Sequence, residues 1–304
     1  MRTSGLIDNR VYECAALIAG GSLQAAAALA SGRYRTAVHF DGGRHHAHKS
    51  QAAGFCYVND VVLAVLHLLG NFQRIMYVDV DLHHCDAVQL LFSQQEAFNL
   101  TDRVLTISLH KLAPGFFPGT GQMGSLGEGR GGGFSLNLPL EDGLRNELFV
   151  DAFHRLAGGA AELYKPDCVV LQCGVDGLAH DPLGASWGLT PRGYAAAAGL
   201  AASWAVPLLV LGGGGYDDAA AARAWTAVLA ALQGRASSDL QRWACVHRLV
   251  HAAPKPLLTP DANTSAAVAA KCQQLLGALS EALGSKQREE QQEGPAGCKR
   301  MRAY

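Results

Sequence analysis

Asp79, Asp81 and His83 occupy alternate positions in the run Asp79-Val80-Asp81-Leu82-His83. In extended backbone alternate side chains share a face, so two carboxylates and an imidazole point the same way. Asp81 and His83, joined by Asp176 from Gly174-Val175-Asp176, make a donor set of two carboxylates and one imidazole. Three protein ligands leave a position for water, as a catalytic metal requires. Zinc fits this set, and Fe(II) or Mn(II) accept the same ligand types.

His45-His46 is a second imidazole cluster. Such a pair can serve as general base and acid beside a metal when carboxylates orient the far ring nitrogens, and Asp79 and Asp86 are available for that. Gly212-Gly213-Gly214-Gly215 allows backbone, Gly214 included, to pass close to a ligand, and Tyr216 then presents a phenol able to donate to a developing oxyanion. The segment has neither G-x-G-x-x-G spacing nor a Gly-Lys-Ser/Thr ending, which argues against a phosphate-cradling loop.

These groups need a scaffold that brings them together. Short aliphatic runs at 36–40, 74–80, 104–109, 134–138, 167–173 and 207–211 alternate with Ala/Leu-rich stretches at 12–31, 56–70, 84–92, 145–164, 191–205, 217–233 and 264–283. Apolar runs this continuous are typical of parallel strands covered on both faces, and their alternation with helices predicts a single-domain, three-layer α/β/α fold with a mostly parallel sheet. Four of the six strands are followed at once by polar or glycine-rich clusters: Asp41 to His48, Asp81 to Asp86, Gly174 to Asp176, and Gly212 to Tyr216. An isolated Asp or His at a strand end often only caps a helix. Four clusters at the carboxyl edge of one sheet instead predict a ligand site. The stretch 114–133, rich in glycine, reads as a long functional loop.

The chain has 304 residues, 49% of them hydrophobic and 17% charged, enough for a core of its own. The catalytic domain is expected over 1–283, followed by a disordered polar tail at 284–304. With 25 Lys plus Arg against 26 Asp plus Glu, no general field exists to hold a polyanion, so direct nucleic-acid binding is not expected. Eight cysteines without a C-x-x-C pair read as free thiols in a reducing compartment. No secretory leader and no membrane-length apolar run is evident, which predicts a soluble intracellular protein with no membrane contact.

Between about residues 6 and 230 the chain resembles the class I histone deacetylases, within the arginase/deacetylase superfamily. The resemblance is carried by Gly42-Gly43-Arg44-His45-His46-Ala47, Gly54-Phe55-Cys56-Tyr57-Val58-Asn59-Asp60, Tyr77 to His84, His110-Lys111, Pro114-Gly115-Phe116-Phe117-Pro118-Gly119-Thr120-Gly121, Leu171 to Asp176, and Leu211 to Tyr216. The Pro114 to Gly121 form looks most like the subclass that works without a large corepressor complex. The resemblance implies an arginase/deacetylase-like fold and Zn²⁺ on Asp81, His83 and Asp176. It implies His45 and His46 as paired catalytic histidines, backed by Asp79 and Asp86, and Tyr216 as oxyanion donor. It implies that Gly54, Phe55 and Phe117 line a narrow tube for the acetyl-lysine stem, and that a structural K⁺ lies among backbone oxygens of Asp79, Asp81, His83 and Leu109 and the Ser108 hydroxyl. The implied substrates are acetylated histone tails or other acetyl-lysine proteins, and the implied compartment is the nucleus, with the cytoplasm second. The sequence specifies no corepressor partner.

Several positions depart from the family pattern. His83-His84-Cys85-Asp86-Ala87 stands where the family has His-His-Gly-Asp-Gly. If either lost glycine served a positive φ, Asp86 and its partner His46 would be displaced. Arg44 places a cation beside the histidine pair, which is expected to disfavour imidazolium there. The segment 93–103 is longer than the family's, which removes the expectation of a second potassium site. Upstream of the position matching Gly5 the family has rim and cavity contacts with no counterpart here, so weak substrate grip and self-association are expected. The leading expectation is a zinc-dependent protein lysine deacetylase. The alternatives are a relative that keeps the cleft without turnover, acting as a binding or regulatory module, and an acetylpolyamine deacetylase.

Overall fold

The computed structural model describes residues 9–89, 98–179, 181–184, 186–235 and 259–297. Residues 93–97 of the longer segment, together with Cys245 and Cys298, lie outside that set. The six strands are β1 (Thr36–His39), β2 (Ile75–Asp79), β3 (Val104–Lys111), β4 (Ser135–Leu140), β5 (Cys168–Gln172) and β6 (Leu208–Leu211). They form one all-parallel sheet in the order β1-β6-β5-β2-β3-β4. The helices are α1 (Asn9–Ala30), α2 (Asp60–Leu68), α3 (Asp86–Gln89), α4 (Asn146–Phe153), α5 (Gly159–Tyr164), α6 (Pro191–Ser203), α7 (Asp218–Leu232) and α8 (Ser265–Gly297).

The apolar runs form strands because the helices bury both faces of the sheet. β2 alternates between two cores: Met76 and Val78 pack on the side of α4 to α8, whereas Ile75 and Tyr77 pack on the side of α1 and α2. Each fully buried Leu or Ile in these layers contributes roughly 1.5–3 kcal/mol relative to exposure.

Each helix start has a local cause. Asn59 caps α2 by accepting from Val62 N at 3.0 Å, so the helix expected from 56 begins at Asp60. Asp217 caps α7 through Ala220 N at 2.9 Å. Pro191 opens α6, where a missing N–H costs nothing. The helix expected over 145–164 is split by a π-helical turn, His154–Gly158. The loop 114–133 has no regular element beyond the 3₁₀ turn Gly129–Gly131.

Register aligns the carboxyl ends of the central strands: Asp79 lies beside Gln172 on one side and Ser108 on the other, and Gln172 lies beside Leu211. From β2 the chain proceeds outward to β3 and β4, then returns to the other side of β2 as β5 and β6. The sheet therefore has its topological switch between β2 and β5, where connections leave in opposite directions and open a crevice.

Two sequence expectations need correction. The tail expected to be disordered from 284 instead continues α8 to Gly297. Gln, Glu and Lys are good helix formers. Lys286 adds a tertiary anchor by pairing with Asp102 and lying 4.9 Å from the centroid of the Phe134 ring. The basic cluster at 299–302 lies outside the described residues. Secondly, α1 does contain a stretch long and apolar enough to cross a membrane, Arg10–Ala30. Its interspersed Gly, Ser and Gln hide that stretch from a search for continuous apolar runs. In the fold it packs by one face, with Ala26 and Leu29 buried against Val61, Val65 and Leu68 of α2. Cys14, Cys56, Cys85, Cys168, Cys173 and Cys272 are all free thiols.

Candidate metal centre and histidine pair

The crevice collects its polar groups from the ends of β1, β2, β5 and β6. Past β2, Asp81 and His83 meet Asp176 from the segment after β5, with one donor atom from each lying within 4.8 Å of the others. His83 Nδ1 is 2.8 Å from Asp176 Oδ2 and 3.2 Å from Asp81 Oδ1. Both carboxylates are essentially solvent-free. Asp81 Oδ2 accepts from Gly214 N at 2.8 Å and Gln172 Nε2 at 3.1 Å, and Asp176 Oδ1 accepts from Leu82 N at 2.8 Å. These donors fix the carboxylates while leaving one oxygen of each turned to His83.

The electrostatics call for a cation at this point. Burial, reinforced by the neighbouring Asp81 charge, pushes the Asp176 carboxyl up to about 7. Burial works against the His83 imidazolium, yet Asp176 and Asp81 outweigh it and push His83 up to about 10. A proton on His83 thus balances the carboxylates in the metal-free chain. A divalent cation in its place suits the same donors, two anionic oxygens and one imidazole nitrogen. Among the described residues this is the one grouping of three such ligands.

The histidine pair lies alongside. His45 Nδ1 bonds Asp79 Oδ2 and His46 Nδ1 bonds Asp86 Oδ1, each at 2.7 Å. The two Nε2 atoms are 2.9 Å apart, within hydrogen-bonding distance. Against burial, Asp79 and Asp81 push His45 up to about 9. Burial and the charge on His45 push His46 down to about 4. The pair is therefore polarised into one charged and one neutral ring at neutral pH. Carboxylates and burial set this pattern, so the expected effect of Arg44 on the imidazolium is outweighed. Arg44 turns instead to a cavity of about 490 Å³ under α1, and its backbone N donates to Asp60 Oδ1 at 2.7 Å.

The expected displacement of Asp86 does not occur either. Neither Cys85 nor Ala87 has positive φ, and Asp86 holds His46 directly. Cys85 is buried in the core beside Tyr77 and Val88, filling space that a glycine would leave open.

At the mouth, Phe117 lies 4.8 Å from the His46 ring, Phe55 lies 5.9 Å from the Tyr216 ring, and both phenylalanines are exposed. Phe116, to which no role is assigned by sequence, stacks on His83 at 5.1 Å. Gly54 has φ 50°, and a Cβ there would sit 2.5 Å from the His46 ring, so only glycine lets the loop pass. At Gly214 a Cβ would come within 2.3 Å of Asp176 Oδ2. Gly214 therefore serves to bring backbone against the Asp81 and Asp176 carboxylates.

The clamps of the site are assigned no role by sequence motif. Asp60, fully buried, accepts from Gly43 N, Arg44 N and the Ser22 hydroxyl, and so fixes the turn that carries His45 and His46. Gln172 donates to Asp81 and to Gly43 O, tying the candidate metal centre to the histidine turn. Tyr77 donates its hydroxyl to Asp79. The available signal was a lone polar residue ending a buried apolar strand, or an acid at a helix start.

A pH dependence follows for the metal-free protein. The folded pKa values of His45 and His83 stand above the ordinary 6.5, so their contribution to stability is complete below 6.5 and is lost as pH rises through about 9 to 10. The Tm of chelator-treated protein is expected to fall between pH 7 and 10 more steeply than that of metal-loaded protein, in which the cation replaces the His83 proton. Parallel Tm curves with and without metal would contradict this assignment.

Residues 3–232 match the model of the histone deacetylase domain. Histone deacetylase 8 of Xenopus tropicalis is 42% identical over 233 residues, covering 77% of this chain and 61% of that protein. Histone deacetylase 8 of Danio rerio is 42% identical over 229 residues, covering 75% of this chain and 59% of its own. Histone deacetylase B of Dictyostelium discoideum is 44% identical over 216 residues, covering 71% and 50% respectively. The chain thus spans about half to three fifths of the length of these three relatives.

Proposed function

We propose, from the premise that this chain belongs to the histone deacetylase domain family, that it is a zinc-dependent amidohydrolase. The bond cleaved is the ε-N-acetyl-lysine amide of proteins, acetylated histone tails among them. The observation that carries this reading is the carboxylate-backed pair His45–His46 lying against the cluster of Asp81, His83 and Asp176. When bound there, the cation supplies Lewis acidity that polarises a carbonyl and lowers the pKa of water.

The remaining work falls to the chain. His46, neutral and held by Asp86, takes the proton of the attacking water at Nε2. His45, kept charged by Asp79, stabilises the negative charge that develops next to it. Burial, with the charges of Asp81 and Asp176 adding to it, raises the Tyr216 phenol well above its usual pKa, so it stays protonated and donates to the oxyanion. Collapse of the tetrahedral species releases the amine, which takes back the proton from the imidazolium of the pair. Phe55 and Phe117 flank the four-methylene stem, since aromatic walls match a chain that is apolar up to its nitrogen.

A structural K⁺ at Asp79, Asp81, His83, Ser108 and Leu109 belongs to the same proposal. It is supported by the buried register pair of Asp79, which ends β2, and Ser108, within β3. Nuclear placement, with the cytoplasm second, comes from the family resemblance alone.

Purified protein loaded with Zn²⁺ is expected to release acetate from an acetyl-lysine peptide and to act poorly on an acetylpolyamine, whose free amines would have to enter an aromatic mouth. Turnover of the acetylpolyamine alone would reassign the substrate. Turnover of neither, with zinc bound, would favour a binding module.

A further inference from the structure

We propose that Asp181 is the positioning residue for Tyr216, clamping the otherwise compliant glycine loop so that the phenol faces the metal centre. The inference rests on the deacetylase reading and adds to it a residue outside the segments that carry the resemblance. Tyr216 follows four consecutive glycines, the segment of the site with the most conformational freedom to lose. Its fixed points are few. Asp217 caps α7 on its C-terminal side, and on its own residue the backbone N donates to Asp181 Oδ2 at 2.8 Å.

Asp181 is suited to hold that bond. It is 3% exposed, and its other oxygen, Oδ1, accepts from Leu183 N and Gly184 N, both at 2.9 Å. The carboxylate is thus rigid before Tyr216 reaches it. Asp181 N bonds Leu178 O at 3.0 Å, closing the turn that leaves the metal ligand Asp176. One carboxylate therefore joins the segment carrying a metal ligand to the segment carrying the oxyanion donor. The second tie between these segments, Val175 N to Gly214 O at 2.7 Å, acts before the last glycine and leaves the Tyr216 backbone free to turn. An amide in place of the carboxylate can still accept at one oxygen, but its NH₂ cannot accept from the Tyr216 N–H.

A double-mutant cycle separates this role from a general structural one. Asp181→Asn is expected to lower kcat on an acetyl-lysine peptide roughly 10- to 100-fold with KM and zinc content near wild type, the scale of a misplaced catalytic group. In the Tyr216→Phe background, where no phenolic hydroxyl remains to be placed, the same change should cost no more than about twofold. Equal losses in both backgrounds, or wild-type kcat in Asp181→Asn, would overturn the proposal. Amide hydrogen exchange gives a readout independent of turnover: residues 212–217 should exchange faster in Asp181→Asn, with the central strands unchanged. A wild-type protein with no turnover would sink the deacetylase reading alone, and unchanged exchange would then sink the clamp. If Asp181→Asn does not fold, Asp181→Ser is read in the same cycle. Failure of both to fold would overturn the proposal, because the carboxylate would then be holding the fold rather than the tyrosine.

Discussion

Asp176→Ala is expected to abolish stoichiometric metal binding and, with it, all measurable deacetylation. Asp176 supplies the carboxylate nearest His83 Nδ1, at 2.8 Å, and its loss leaves a single carboxylate and one imidazole. Two donors hold a divalent cation far more weakly than three, because desolvating the ion is then repaid by fewer ligands. Its removal also takes away the main partner of the His83 imidazolium and the acceptor of Leu82 N, so the variant should be less stable than wild type, and the metal content is read on protein shown to be folded. Metal analysis of wild type and variant after identical zinc loading, with circular dichroism on both, decides the matter. Equal zinc content in the two would end the assignment of Asp81, His83 and Asp176 as ligands.

How much of this site could be read from the chain depends on what each residue binds. Asp81, His83, His45 and Tyr216 were legible because buried parallel strands read as apolar runs, and the polar residues just past them fall at the edge where such sheets bind ligands. The partnership of His46 with Asp86 is a side-chain pairing, and both partners belong to short clusters visible in the sequence. Asp60 and Asp181 escaped notice because they bind mainly backbone N–H groups, which every residue carries and no motif records. The strand order was also hidden. Nothing local tells β5 to return beside β2 rather than extend the sheet beyond β4; the two cores on either face decide that only once all the helices are present.

Cys85 and Ala87 show the opposite error, a departure in sequence that overstates its effect. A lost glycine disrupts a site only where it served a positive φ or a close approach. Neither position here has positive φ, and the thiol fills core space behind Tyr77, whose hydroxyl holds Asp79. Gly54 and Gly214 are the glycines that the site needs, because a Cβ at the first would strike the His46 imidazole and at the second the Asp176 carboxylate.

Tyr216→Phe is expected to lower kcat by about 10²–10³-fold, the usual scale for removing one donor to an oxyanion. Zinc content should stay at the wild-type level. The ring would remain in place, since its T-shaped contact with Phe55 at 5.9 Å involves no hydroxyl and the backbone N keeps its bond to Asp181. Asp81 would be undisturbed, because Gly214 N still donates to it. On the proposed mechanism, what disappears is a hydrogen bond that forms in full only when the acetyl oxygen gains negative charge, so KM should move much less than kcat. Steady-state kinetics on an acetyl-lysine peptide, paired with metal analysis, separates the possibilities. An unchanged kcat would remove Tyr216 from the chemistry. A rise in KM alone would make it a contact for the bound substrate and transfer oxyanion stabilisation to the metal centre and the His45 imidazolium.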